Sequence, residues 1–229
     1  MATTETTATP VVDDEGDQCV VLRGIDWKGY RTLLRLRGER AVPRMVYLDG
    51  DLWLMSPSYI HENLAKRLGW FVLEVAVGLQ IPFTSARQTT LRRRKKDVGV
   101  EGDDSFYFAH VERLRGKTTI DLRVDPPPDL ALEAVYSHGA RAALEVYRRL
   151  GVPEVWVGAE TRLRILVLQA NGEYAESESS AAFPFLKTAE IADWIYRPQD
   201  GSETQWLKDV RRWVRATLIP RVRPPAPEA

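Results

Sequence analysis

One α/β domain of the α+β kind, a mixed β-sheet flanked by helices, is what three features of this 229-residue chain predict. Two apolar runs at 45–48 and 52–55 are joined through Asp49-Gly50-Asp51, and Asp-Gly between apolar runs is the strongest short hairpin signal. The run Leu130-Ala131-Leu132-Glu133-Ala134-Val135 is apolar apart from one acid, the pattern of a strand covered on both faces. A helical stretch and a further apolar run at 155–157 follow it, giving a strand–helix–strand unit.

The elements follow in order. Residues 1–18 are rich in Thr, Asp and Glu and read as a disordered leader; the domain is expected over 19–219, with a Pro-rich tail at 220–229. Trp27, Tyr30, Leu33 and Leu34 recur at near-helical spacing within 25–37. After the hairpin, Ser58 can cap a helix running to about Leu79, because Leu64, Leu68, Phe71, Val72, Val75 and Leu79 share one face. Residues 81–91 are expected to be extended, and 98–108 to continue the sheet. A helix over 140–150 ends at Gly151, with Pro153 preventing continuation. Strands are expected at 155–157 and 163–168, a turn at Asn171-Gly172, and helices at 188–195 and 203–219.

Composition narrows the function. With 32 Lys+Arg against 32 Asp+Glu the net charge is zero, which argues against nucleic-acid binding by bulk charge. No apolar run reaches the length of a membrane span, and the N-terminus lacks the basic-then-apolar pattern of a secretory signal. The single cysteine, Cys19, fits a reducing cytoplasm and excludes a cysteine zinc site.

Glu133 is the most informative residue, since a carboxylate within an apolar strand is costly to bury unless it is paired or holds a cation. Two readings stand: an ion pair, for example with Arg141, or a metal ligand. Glu101-Gly102-Asp103-Asp104 sits just before the β-like run Ser105-Phe106-Tyr107-Phe108, and reads either as an exposed turn or as acids projecting from a strand edge. Two acid clusters on neighbouring strands suit a hard divalent cation, which takes one or two carboxylates and completes its shell with water.

The strings GVEGDDSFYF (99–108), DPPPDLALEAVYS (125–137) and VYRRLGVPEVW (146–156), with YLDGDLWLMSPSYIHENLAKRLG (47–69) and QTTLRRR (88–94), resemble the Uma-type family. This bacterial family is assigned to the PD-(D/E)xK nuclease superfamily, and the resemblance covers roughly residues 25–196. It implies a restriction-endonuclease-like core, a Mg²⁺ or Mn²⁺ site, and DNA as substrate. Asp103 would be one ligand, with Gly102 where the family usually has Pro, and Glu133 the other, with Glu62, Glu101 or Asp104 assisting. His61-Glu62 matches a His-Glu pair at the start of the first core helix, or simply opens that helix, where an acid favours the macrodipole. The family's lysine is missing: Val135 stands two residues after the strand Glu, and Ala143 stands four before Tyr147. Arg141, His138 or Lys66 are the candidate substitutes, although an arginine stays protonated and is a poor base.

Arg87 and the run 92–96 place six cations within ten residues without an acid. They are either a charged sheet edge that resists strand pairing, or phosphate contacts made by Arg87, Arg92, Arg94 and Lys95 together with His61. Lys208, Arg211, Arg212 and Arg215 beside Trp206 and Trp213 form either a basic ridge or a helix whose tryptophans are core; Trp53, Trp70, Trp156 and Trp194 read as core. The function expected is a metal-dependent DNA endonuclease, with a homodimer as its plausible form. The alternative is a relative of the same fold that binds nucleic acid or protein without cleaving. Gly-x-Ser-x-Gly, P-loop and His-Glu-x-x-His motifs are absent, which leaves little support for another hydrolase class.

Overall fold

The computed structural model describes residues 8–11, 16–135, 140–198 and 201–223. Its strands form two six-stranded sheets. The first is antiparallel throughout and orders β1 (Ala8–Val11), β2 (Gln18–Leu22), β4 (Asp51–Ser56), β3 (Arg44–Leu48), β7 (Val98–Val100) and β6 (Leu91–Arg93). The second orders β12 (Tyr174–Ser177), β11 (Leu163–Leu168), β10 (Glu154–Gly158), β9 (Leu130–Ala134), β8 (Asp104–Tyr107) and β5 (Thr84–Ser85), with one parallel pair, β9 with β10. The mixed α/β class expected from the sequence holds.

The β3–β4 hairpin turns at Asp49-Gly50, both with positive φ (49° and 91°), the geometry that makes Asp-Gly the favoured pair there. Helix α1 (Trp27–Arg37) starts on Asp26, whose carboxylate accepts from Gly29 N at 2.7 Å. Helix α2 (Tyr59–Leu79) starts on Ser58, which accepts from His61 N at 3.2 Å. All six apolar residues expected on its inner face are buried, packed on one face of the second sheet with Leu130, Leu132, Trp156 and Ile165. Helices α4 (Thr188–Tyr196) and α5 (Glu203–Trp213) close that core. Trp206 and Trp213 turn inward, so the last helix follows its core reading; past Trp213 it loosens into a π-helical turn, Val214–Leu218. Trp156 and Trp194 are buried as expected, whereas Trp53 and Trp70 are half-buried.

Helix α3 (Ala140–Leu150) lies between the sheets. Its buried face, Ala143, Val146, Tyr147 and Leu150, meets Ala131, Val155 and Val157 of the second sheet and Val98 and Val100 of the first. Two expectations shift. Of the expected extended stretch 81–91 only the two-residue strand β5 and Leu91, which opens β6, are strand, and the stretch 98–108 does not continue one sheet. It leaves the first sheet after Val100 and enters the second at Asp104, so Glu101, Gly102 and Asp103 bridge the two. Part of the expected leader is ordered as well: Ala8–Val11 pairs with β2, and Asp17 is buried.

Candidate active site

Strand pairing brings the two acid clusters together. Strand β8 runs antiparallel to β9 with Asp104 opposite Leu132, so the next step of the ladder sets Asp103 beside Glu133. Asp103 Oδ2 accepts from Ala134 N at 2.6 Å, extending the ladder through a side chain. Alternation along β9 sends Leu130, Leu132 and Ala134 toward α2, and Ala131 and Glu133 toward α3. There Tyr147 donates to Glu133 Oε1 at 2.5 Å. Glu133 and Asp103 are each only 8% exposed. Burial, followed by the adjacent Asp103 charge, pushes the Glu133 carboxyl up to about 8. The Tyr147 hydroxyl is driven well above its ordinary value by burial and the Glu133 charge.

Asp103 is compensated by two cationic groups. Arg44, the first residue of β3, donates through Nη1 to Asp103 Oδ1 and through Nη2 to Glu62 Oε1 at 2.6 Å. His61 Nε2 lies 2.8 Å from the same Asp103 oxygen, and its Nδ1 lies 2.8 Å from Asp17 Oδ2. Burial opposes a charge on His61, but the hydrogen bonds and charges of Asp103 and Asp17 prevail and raise it to about 10, so it is an imidazolium at neutral pH. Burial would raise Asp17, yet its bonds from His61 and from Ser58 N, the latter at 2.8 Å, hold it below the usual carboxylate range. A cavity of about 30 Å³ adjoins this cluster, lined by Asp17, Arg44, Glu133 and Val135 and by Ala140 and Ala143 of α3. Its size suits a single water or ion.

Of the residues the sequence nominates, the structure gathers Asp103, Glu133, His61 and Glu62 around Arg44 and leaves the others apart. Glu101 lines the small cavity too, but its carboxylate takes Arg37 at 2.5 and 2.7 Å, Thr90 Oγ1 at 2.5 Å and Met45 N at 3.0 Å, which occupies its acceptor capacity in joining α1 to the first sheet. Asp104 accepts from Ser85 Oγ at 3.1 Å and Ser105 N at 2.8 Å, and burial raises its carboxyl. Arg141 is exposed on the first turn of α3, and His138 lies outside the described residues. Lys66, one turn along α2 from Glu62, is drawn to Glu203 at 2.5 Å and lies over the Trp70 ring. His61, nominated for nucleic-acid contact, is 1% exposed and wedged between two carboxylates, so its chemistry is internal. Arg87, Arg92, Arg94 and Lys95 are exposed; Lys95 sits in the 3₁₀ turn Arg94–Lys96, apart from the groove that the other three line.

Three residues escaped the sequence reading. Arg44 carried one signal, a cation opening an otherwise apolar strand. Tyr147 and Asp17 carried none, because each gains its role from a chain segment far away in sequence. The glycine at 102 gains a reason here. A Cβ at that position would overlap the Tyr147 hydroxyl and fall 2.7 Å from Glu133 Oε1, so the absence of a side chain makes room for the Tyr147–Glu133 bond.

The sequence profile of the Uma2 family, described as "Putative restriction endonuclease", matches residues 29–208. The chain belongs to the Uma2 family. The Uma2 match takes in Arg44, His61, Glu62, Asp103, Glu133 and Tyr147 and leaves out Asp17, which the N-terminal segment adds to the cluster. Membership supports a nuclease. No curated protein matches the chain. Among solved structures, a "putative nuclease belonging to DUF820" from Anabaena variabilis ATCC 29413 is similar, with a TM-score of 0.46 and 13% identity over 79% of this chain and 96% of that one. No helix among the described residues is long and apolar enough to cross a membrane.

For a divalent cation of the hard type the side chains on offer are the Asp103 and Glu133 carboxylates; in this structure Arg44, His61 and Ala134 N take the Asp103 oxygens and Tyr147 takes Glu133 Oε1. Among the described residues no group of three or more His, Cys, Asp or Glu side chains forms a metal site, so such an ion would rest on the Asp103 and Glu133 carboxylates and on water, a shell Mg²⁺ accepts. Burial is the larger cause of the raised Glu133, and the smaller one, repulsion from Asp103, is what a cation between the two would relieve.

Proposed function

We propose that this protein is a divalent-metal-dependent nuclease that hydrolyses phosphodiester bonds of DNA at the Asp103–Glu133 pair. The observation that carries the proposal is the placing of these two buried carboxylates side by side on neighbouring strands, with Glu133 raised by burial and then by the Asp103 charge. When bound, Mg²⁺ or Mn²⁺ would supply Lewis-acid stabilisation of the phosphate and lower the pKa of water. The chain's own groups do the rest. Asp103 and Glu133 hold the cation, and Tyr147 fixes the Glu133 rotamer through its hydroxyl. Arg44 and the His61 imidazolium place positive charge where the family's lysine is missing, near enough to Glu133 to favour its ionised form. Arg44 cannot act as a base, so its part is electrostatic.

A second reading has its own support: a relative that binds without cleaving. Arg44 and His61 already neutralise Asp103, and Val135 and Ala143 leave no lysine in the small cavity. One assay separates the two. Supercoiled and linear DNA are incubated with Mg²⁺ or Mn²⁺ and wild type, Asp103→Asn or Glu133→Gln. Nicking or cutting by wild type that falls at least ~100-fold in both variants is expected, the scale of losing a transition-state charge partner. Equal cutting by all three would refute the assigned site. Metal-independent binding by wild type with no cutting would establish the non-cleaving relative.

A further inference from the structure

A groove of about 1200 Å³, larger than the volume that encloses one drug-sized ligand, opens where Ser85 and Thr90 meet the acids that flank Gly102-Asp103. Three segments distant in sequence build its walls: α1 with Trp27 and Arg31, residues 84–94, and residues 117–123. Seven arginine and lysine side chains line it against two acids, Glu39 and Asp121. Lys117 and Arg123 are paired with Asp125 and Asp121. The other five, Arg31, Arg87, Arg92, Arg93 and Arg94, form no ion pair among the described residues. All but Arg93 are exposed. Protection of the β6 sheet edge accounts for Arg92 and Arg93 but not for Arg31 on a separate helix facing the same groove. Uncompensated like charges in one concavity repel each other, and a polyanion removes that repulsion.

The groove is joined to the segment that carries Asp103 through side chains. Ser85 Oγ donates to Asp104, and Thr90 Oγ1 donates to Glu101, so two of its wall residues hold the two acids adjacent to Gly102-Asp103. The rest of the lining mixes hydroxyl- and amide-bearing residues, Gln88, Thr89, Thr118 and Thr119 among them, with the apolar Ala86, Leu114, Ile120 and Leu122. Its one aromatic, Trp27, is edge-on to Tyr30 and Tyr47, with centroids 5.4 and 5.8 Å away. A surface that reads single-stranded bases offers several open aromatic platforms, and this one does not.

We infer that this groove is the track for the sugar–phosphate backbone flanking the scissile bond, and that it grips phosphates without reading bases. The inference rests on the nuclease reading above and names where, and how indifferently to sequence, the substrate is held. Arg31, Arg92 and Arg94 carry the grip, and α1 is a working wall of the enzyme as well as a cover for the first sheet. Phosphate contacts of this type position a strand and carry no sequence information.

The test is fluorescence anisotropy with labelled ~16-nucleotide single strands and duplexes of two unrelated sequences, on the full chain without divalent cation, across a salt series. The comparison is wild type against Arg31→Gln/Arg92→Gln/Arg94→Gln, with Arg162→Gln, an exposed arginine outside the groove, as the charge control. Expected are equal affinities for the two sequences, at least tenfold weaker binding by the triple variant, and a salt slope shallower by about 2–3. Arg162→Gln should bind as wild type does, to within about twofold. Unchanged binding by the triple variant overturns the track, as does more than tenfold discrimination between the sequences. Displacement of the strand by inorganic tripolyphosphate at equal molar affinity overturns it in favour of a small-polyanion site. Failure here is distinguishable from failure of the nuclease reading. Groove-dependent binding without cleavage refutes the chemistry alone, and Asp103-dependent cleavage with an unaltered KM in the triple variant refutes the track alone.

Discussion

At Gly102 the lack of a side chain is itself a structural requirement. The Tyr147–Glu133 hydrogen bond fills the space a Cβ would take. Gly102→Ala must therefore displace the tyrosine and leave a buried carboxyl without its donor, at a cost of about 2–4 kcal/mol from overpacking and lost pairing. The pairing with Tyr147→Phe identifies the cause. Removing the hydroxyl relieves the overlap, so the double variant is expected to be more stable than the sum of the single effects predicts, by about 1 kcal/mol or more. Urea unfolding of the four proteins in this cycle measures it, and strict additivity would show that the strain lies elsewhere. The sequence offered Gly102 only as a departure from a family pattern; its reason depends on a tyrosine 45 positions away, which no local spacing discloses.

Among the elements, the decisive one is the bridge at 101–103, which passes from β7 to β8 and so from one sheet to the other. Alternation and turn chemistry located the acids near a strand, but they do not reveal that the strand ends and a second sheet begins. The β2–α2 junction is tied to this bridge through Asp17, His61 and Asp103. That tie carries a pH signature. The folded His61 titrates at about 10, above its ordinary 6.5, so its contribution is complete below about pH 6.5 and is lost as pH rises through about 10. Glu133, also raised, acts in the same direction, since the fold holds its proton more tightly than the unfolded chain does. Thermal melts should show wild type most advantaged over His61→Gln near pH 6.5, by about 2–4 kcal/mol, with the gap closing toward pH 10. A gap that is constant or grows with pH would mean that His61 is neutral in the fold.

Across the whole molecule, α3 acts as a shared core between two sheets, each of which would otherwise expose an apolar face. The sheets should therefore unfold together. Leu150→Ala, at the buried end of α3, is expected to cost about 2–4 kcal/mol and to lower one common transition, read by both tryptophan fluorescence and far-UV circular dichroism. Two separated transitions would indicate independent sheets. The zero net charge also hides local segregation: seven of the 32 cations line one groove, while Glu101, Asp103, Asp104 and Glu133 cluster where β8 meets β9.

The sequence by itself determined the local elements: the Asp-Gly hairpin, the Ser58-capped helix with its apolar stripe, the buried strand at β9, the one acid on it, and the family. These depend on interactions a few residues long, which spacing records directly. The tertiary structure decided the rest: that there are two sheets, that Asp17 belongs to the site, that Arg44 and His61 supply the cations near Glu133, that Glu101 is an anchor, and that seven basic residues share one groove. Each of these depends on groups brought together from distant parts of the chain, and neither burial nor the sharing of a proton can be read from one segment alone.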